Sequence, residues 1–214
     1  MIRAYDETYL DDAMNNLGDM FEYAVNDCGY EADVFYDHFI ISGIAAAFEK
    51  GNPKFVAGMS GPELASEVIY RVFRFRPDAP VSENADKSPE YWAGWILAYY
   101  QWYSARSFKF TRDNGLNMAR VLTLYPTLHE ADQTKFVDVA NQIINKSRAL
   151  GSGGLRKIRK ANGMTQKALA DKSGAALRMI QLYEQGKKDI NKAQALTLAR
   201  VARALGCDVV DLLE

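Results

Sequence analysis

The chain has 214 residues, 48% hydrophobic and 25% charged, enough for one large core or for a medium domain beside a small one. Its two cysteines, Cys28 and Cys207, lie near opposite ends, which excludes a zinc-type ligand cluster or a disulfide framework and fits a reducing compartment. The formal net charge of −1 conceals an asymmetry: residues 1–147 hold 13 Lys and Arg against 21 Asp and Glu, a net of −8, whereas residues 148–214 hold 13 against 6, a net of +7.

The opening MIRAYDETYLDD is acidic and lacks an apolar core, so no signal peptide is expected there. The richest apolar run, Tyr91–Tyr103, is too short and too polar-flanked to span a bilayer. The expectation is a cytoplasmic protein without a membrane partner. Strand signals are nearly absent, and helical periods recur. Leu10, Met14, Leu17, Phe21, Ala24 and Cys28 follow alternating steps of four and three and predict one apolar helix face. Val34, His38, Ile41, Ala45 and Phe48 predict a second, broken at Gly51-Asn52-Pro53. Ser60 and Glu63 read as a capping box with Pro62 in the first turn, ahead of a helix lined by Leu64, Val68 and Val72. Residues 76–89 carry three prolines and read as a loop. Ser88, followed by Pro89 and Glu90, starts a helix over Pro89–Ser104 that holds Tyr91, Trp92, Trp95, Tyr99, Tyr100, Trp102 and Tyr103. Asn114-Gly115 predicts a turn, with a short helix ending before Pro126. Asp132 can cap a last helix with Phe136, Val139, Ala140 and Ile143 inward.

Gly151-Ser152-Gly153-Gly154 has little helix propensity, and the charge changes sign at the same place. This predicts an acidic all-helical domain over 1–150 and a second domain over 151–214, joined by a linker at 147–154. A basic segment of this size is the electrostatic footprint of a nucleic-acid binder. Within it, Leu155–Ala161 is basic and amphipathic and closes at Asn162-Gly163. Thr165 is an N-cap, Gln166 the first helical residue, and Leu169 and Ala170 face inward. Small Ala170 and Gly174 are expected to let two helices cross closely, with Ser173-Gly174 as the tight turn. A second short helix begins at about Ala175, has Ile180 and Tyr183 inward, and ends at Gly186. Asn191 reads as the cap of the next helix, with Ala195, Leu198, Ala199, Ala202 and Leu205 inward and Gly206 as its stop. Asp208 starts a final turn, Val209–Leu213.

Thr165-Gln166, Leu169-Ala170, Gly174, Ile180, Glu184 and Gly186, at this spacing, resemble the phage-repressor (Xre/Cro) helix-turn-helix family. The resemblance implies five short helices over about Gly154–Glu214, and thus an all-α protein in which an N-terminal helical bundle is tethered to a helix-turn-helix domain. It implies double-stranded DNA as partner. The second helix would enter the major groove and present Ala176, Leu177 and Arg178, with Gln181 and Leu182 one turn on, to base edges. Gln166 would meet a phosphate at the start of the first helix, where free N–H groups and the helix dipole favour an anion. Lys187 and Lys188 follow the reading helix and can reach phosphate, as can Arg156, Lys157, Arg159 and Lys160. Two positions depart from the family pattern: Ala176 stands where a capping Ser or Thr is common, and Leu182 where a polar residue is. Arg178 and Gln181 are therefore the evident base readers. Leu177 and Leu182 suit thymine methyls or another protein, which leaves open a module used for protein contacts.

The N-terminal half offers little chemistry. His38 lies on an apolar helical face and is expected to be buried with a partner. His129, Glu130 and Asp132 read as caps and surface. There is no phosphate-binding glycine loop, nucleophile elbow or HExxH motif, so no catalytic residue, metal ligand or cofactor is assigned and no enzyme is expected. Trp92, Trp95, Tyr99 and Trp102 share one side of their helix, which is either the buried centre of a bundle or a partner-binding surface. The spacing of GNPKFVAGMSGPELA and SPEYWAGWILAYYQWY resembles uncharacterised helical domains joined to Xre-type modules in bacterial regulators, a resemblance that imports no activity. The expected function is a homodimeric transcriptional regulator, such as a repressor, whose acidic domain regulates it or binds a partner. The alternative is an antitoxin that neutralises a toxin through that domain and autoregulates its operon.

Overall fold

The computed structural model describes residues 3–82, 86–149 and 154–213, which form helices, turns and loops with no strand among them. Packing divides the chain into two units, Met1–Asn141 and Gln142–Glu214. The junction residues Gly151, Ser152 and Gly153 lie outside the described residues.

Helix α1 (Leu10–Glu22) is the axis of the N-terminal unit. It buries Leu10, Met14, Leu17 and Phe21 at the spacing the sequence predicts and runs on into a wider π-helical turn, Tyr23–Asp27, that buries Ala24. Helix α2 (Ala32–Ile41) starts where the Glu31 carboxylate accepts hydrogen bonds from the Asp33 and Val34 amides, at 3.3 and 2.9 Å. Its inward face corrects the expected one. Phe35, Tyr36 and Phe39 are buried around the Phe21 ring at centroid distances of 5.5, 5.9 and 6.5 Å, while Val34 and Ile41 are exposed. The helix is apolar on both sides, and the larger aromatic set takes the core. Gly43, at φ +76°, then ends the run, so Ala45 and Phe48 belong to a separate helix, α3 (Ile44–Phe48). His38 is only half-buried. Its Nδ1 has no hydrogen-bond partner, and the ring instead stands edge-on to Phe73 at 4.8 Å.

Helix α4 (Pro53–Val56) leads to α5 (Gly61–Phe73), where the Glu63 carboxylate accepts from both the Ser60 amide and the Ser60 hydroxyl at 2.9 Å. Leu64 and Val68 are buried with Ala65 and Ile69, whereas Val72 is only half-buried near the helix end. The Ser88 hydroxyl accepts from the Tyr91 amide and opens α6 (Pro89–Ser104), which packs along α1. Glycines set how closely these helices meet. A Cβ on Gly94 would stand 2.4 Å from the Leu17 carbonyl oxygen, and one on Gly61 would stand 2.3 Å from the Asp19 Cβ. Nothing in the local sequence pattern distinguishes these glycines from helix-weakening ones.

Helices α7 (Phe108–Asp113) and α8 (Met118–Leu122) flank the turn at Asn114-Gly115. Pro126 lies in the first turn of a further short helix, α9 (Tyr125–Leu128), where no N–H is needed. Asp132 accepts from the Thr134 amide at the start of α10 (Gln133–Ala149). The buried face of α10 is Phe136, Val137, Ala140 and Ile144. The expected Val139 and Ile143 are half-buried, because Phe136 packs between the Trp92 and Tyr100 rings at 5.9 and 6.1 Å and sets the rotation.

Candidate nucleic-acid interface

The C-terminal unit builds its own core. Leu155 on α11 (Gly154–Ala161) meets Leu169 on α12 (Gln166–Ser173) and Ile180 on α13 (Leu177–Glu184). Leu198, Val201 and Leu205 of α14 (Ala195–Leu205) and Leu212 of α15 (Val209–Leu212) complete the cluster, with Tyr183 half-buried against it. Gly154 is already helical, and a Cβ there would stand 2.4 Å from the Asp211 carbonyl oxygen. Asn191 does not cap α14. It belongs to a 3-10 turn, Ile190–Lys192, capped by Asp189, and α14 begins only at Ala195. The inward stripe runs through Leu198, Val201, Ala202 and Leu205, which leaves Ala195 and Ala199 exposed.

The elbow between α12 and α13 is fixed by local bonds. The Thr165 hydroxyl accepts from the Ala168 amide at 3.0 Å and starts α12. At its end the Ser173 hydroxyl donates to the Leu169 carbonyl at 2.7 Å and accepts from the Ala175 amide at 3.3 Å. Gly174 adopts φ +67°, and a Cβ there would touch nothing within 4 Å. Its place therefore rests on the left-handed backbone that glycine tolerates, and close helix crossing, the expected reason, is not involved. Ala176 occupies the N-cap of α13 without a side-chain hydrogen bond.

On the outer face of α13, Ala176, Leu177 and Arg178 are exposed, and Gln181 and Leu182 are half-buried. Lys187 and Lys188, just beyond it, are exposed. Arg178 makes no hydrogen bond or ion pair among the described residues. The structure thus places these seven residues on and just after one helix.

Gln166 and Arg159 have a different setting. Arg159 is 8% exposed and Glu184 4%. The guanidinium donates twice to the Glu184 carboxylate, Nε to Oε1 at 2.6 Å and Nη2 to Oε2 at 2.9 Å, and once more to the Met164 carbonyl. The Gln166 side-chain amide donates to the same carboxylate at 2.7 Å. Burial pushes the Glu184 carboxyl upward, but the hydrogen bonds from Arg159 and Gln166 and the charges of Arg159 and Arg156 together outweigh it and hold the group below its usual range. Arg159 is therefore a buried structural cation, which corrects its expected place among the phosphate contacts. Gln166 lies at the N-terminus of α12 with its amide already engaged by Glu184. Sequence reasoning missed the triad, since 25 residues separate Arg159 from Glu184.

Residues 155–212 match a family model described as Helix-turn-helix. This region is a helix-turn-helix domain of the phage-repressor (Xre/Cro) type. No curated protein and no solved structure shows significant similarity to the chain. The helix-turn-helix domain is a DNA-binding module, and α12 and α13 both lie within the matched residues. No helix among the described residues is long and apolar enough to cross a membrane.

Outside the helix-turn-helix domain, the four aromatics singled out on α6 divide. Trp92 is buried against Tyr125 and Phe136, and Trp102 is buried with its indole N–H donating to the Tyr5 carbonyl at 2.9 Å. Trp95 and Tyr99 are half-buried. The row forms part of the unit's interior and is not presented as one continuous surface.

Proposed function

We propose that the chain is a transcriptional regulator that acts as a dimer, reads two related half-sites through α13, and uses its acidic N-terminal unit for regulation and self-association, with no catalytic role. The observation that carries this is the pairing of an elbow held by Ser173 and Gly174 with an outward face on which Arg178 is exposed and unengaged. One short reading helix covers only a few base pairs, so useful affinity needs a second copy about one helical turn away. The acidic unit is repelled by phosphate, which favours a role away from the duplex.

The test is selection of bound duplexes from a random pool, followed by titration on the selected and a scrambled sequence. Arg178→Ala is expected to lose about 5- to 150-fold on the selected sequence, the value of a bidentate contact to a guanine edge, and much less on the scrambled one. Gln166→Ala is expected to weaken both alike, because its loss loosens the start of α12 without touching a base. Equal losses on both sequences for Arg178→Ala would make it a phosphate clamp, and the absence of any selected sequence would end the proposal.

A further inference from the structure

The helical run that begins as α1 ends in the π-helical turn Tyr23–Asp27, and residues 75–82 are tied across that end. The Tyr23 hydroxyl donates to the Ala79 carbonyl at 2.9 Å, and the Asp27 carboxylate accepts from the Ser82 amide and hydroxyl at 3.2 and 2.5 Å. Between the two stretches lies an open cavity of about 540 Å³, within the roughly 300–1,000 Å³ of small-molecule sites. Tyr30, Phe75 and Pro77 give it apolar walls, and Asp27, Asp78 and Cys28 give it polar ones. Phe73 stands next to both rings, 6.5 Å from Tyr30 and 6.3 Å from Phe75. Phe75 is nonetheless 51% exposed, so its own unit leaves half of this aromatic wall uncovered.

The charge this cavity presents is negative. No lysine or arginine is among the described residues that line it. The two arginines beside Phe75 in the chain face the Tyr70 ring instead. The Arg76 guanidinium lies 4.6 Å from that ring and donates to Glu67 at 2.9 Å, and the Arg74 guanidinium lies 6.0 Å from the same ring. Asp78 makes no hydrogen bond or ion pair among the described residues. The helix end adds to the effect, because a C-terminus carries roughly half a negative charge on its last carbonyls, and Asp27, Cys28 and Gly29 at this end all line the cavity. Burial first, then Cys28 and the charges of Asp27 and Asp78, push the Tyr23 hydroxyl up to about 12. Both carboxylates therefore act on one point beside the cavity. Burial and the Asp27 charge outweigh the Tyr23 hydroxyl and push the Cys28 thiol up as well, which leaves it a neutral wall. A metal ion is poorly matched: both Asp27 oxygens already accept from Ser82, and no group of three His, Cys, Asp or Glu among the described residues could hold one. Carboxylates beside aromatic walls suit an ammonium group on an apolar body, since ring faces attract such a cation.

We infer that this cavity is a binding site for an organic ammonium ion with an apolar body, its charge against Asp78 and its body against Tyr30 and Phe75. The site is independent of the regulator reading, and its test uses no DNA. Calorimetric titration of the full chain with phenethylamine, tryptamine and hexylamine should give saturable one-site binding for at least one of them. The matching alcohol, with a hydroxyl in place of the amino group, should bind about tenfold more weakly or worse. Asp78→Asn, at an exposed position and with unchanged circular dichroism, should weaken the amine about tenfold. Phe75→Leu, which keeps apolar bulk but removes the ring, should weaken it about threefold. Asp138→Asn, at an exposed carboxylate on α10, should leave it unchanged. Failure of all three amines to saturate overturns the inference. Equal binding of amine and alcohol also overturns it, as does full affinity in either Asp78→Asn or Phe75→Leu. A loss in Asp138→Asn as large as in Asp78→Asn would show diffuse attraction to an acidic unit in place of a site, and would end the inference too.

Discussion

The Glu184→Ala chain is expected to lose the folded state of its helix-turn-helix domain at room temperature while its N-terminal unit stays folded. The substitution removes a carboxylate that accepts two hydrogen bonds from Arg159 and one from Gln166, and it leaves the guanidinium in the core with only the Met164 carbonyl. Breaking a buried pair by deleting one partner costs about 3–5 kcal/mol, which is close to the whole stability a core of this size supplies. The double replacement Arg159→Met with Glu184→Leu should recover most of the loss, because a packed apolar pair replaces an ion pair at little or no cost. The pH dependence follows from the same carboxylate. Its folded-state value is depressed below the ordinary 4.5, so its contribution is full above that pH and is lost as the pH falls through the lower folded value. Hydrogen exchange followed by peptide mass should show protection vanishing over residues 155–212 alone. Full protection of those peptides in Glu184→Ala would show that the triad is incidental.

Gly94→Ala is expected to destabilise the N-terminal unit by about 3 kcal/mol or more, at the top of the range for overpacked cores. The new methyl would stand 2.4 Å from the Leu17 carbonyl oxygen and 2.9 Å from both the Leu17 carbonyl carbon and Phe21 Cδ2. Backbone atoms cannot turn aside as a side chain can, so α1 and α6 must separate along the contact that organises the unit. The higher helix propensity of alanine, worth about 1 kcal/mol, is too small to compensate. Gly18→Ala is the control: its nearest neighbours are Tyr91 ring atoms at 2.7 and 2.8 Å, which can swing away, and the backbone atom it meets, the Tyr91 carbonyl oxygen, stands at 3.0 Å where Gly94 has one at 2.4 Å, so it should cost less. Denaturant titration with tryptophan fluorescence, to which all three tryptophans of this unit contribute, reads both. An unchanged midpoint for Gly94→Ala would mean that the helices are not packed this closely.

These two results bear on how much of the molecule could be read from its residues alone. Features set by a few neighbouring residues were legible: the Thr165 cap, the Ser173-Gly174 elbow, the stop at Gly206, the Ser60–Glu63 box and the start of α6 at Ser88. Each depends on a side chain bonding a backbone group within four residues, or on glycine adopting a left-handed turn. The outer face of α13 was legible through its spacing from the elbow. What was not legible depends on distant partners. Periodicity offered α2 two apolar faces and could not say that Phe35, Tyr36 and Phe39 would win the core over Val34 and Ile41. The rotation of α10 depends on Trp92 and Tyr100, more than thirty residues away in the sequence. Gly94 reads as a weak helix residue until the Leu17 carbonyl is seen beside it, and Glu184 reads as a helix end until Arg159 reaches it.

In the proposed reading α13 meets the duplex, and the way it is held then has a consequence for the DNA. Its start is tied to α12 through Ser173, and its end to α11 and α12 through Glu184. A helix fixed at both ends has little conformational freedom left to lose on contact, and it also has little room to adapt. The accommodation then falls to the DNA. Pyrimidine–purine steps kink readily and A-tracts resist. Since much of the outward face of α13 is Ala176, Leu177 and Leu182, base pairs that the protein never touches would take on part of the discrimination, through the energy needed to bend them into place.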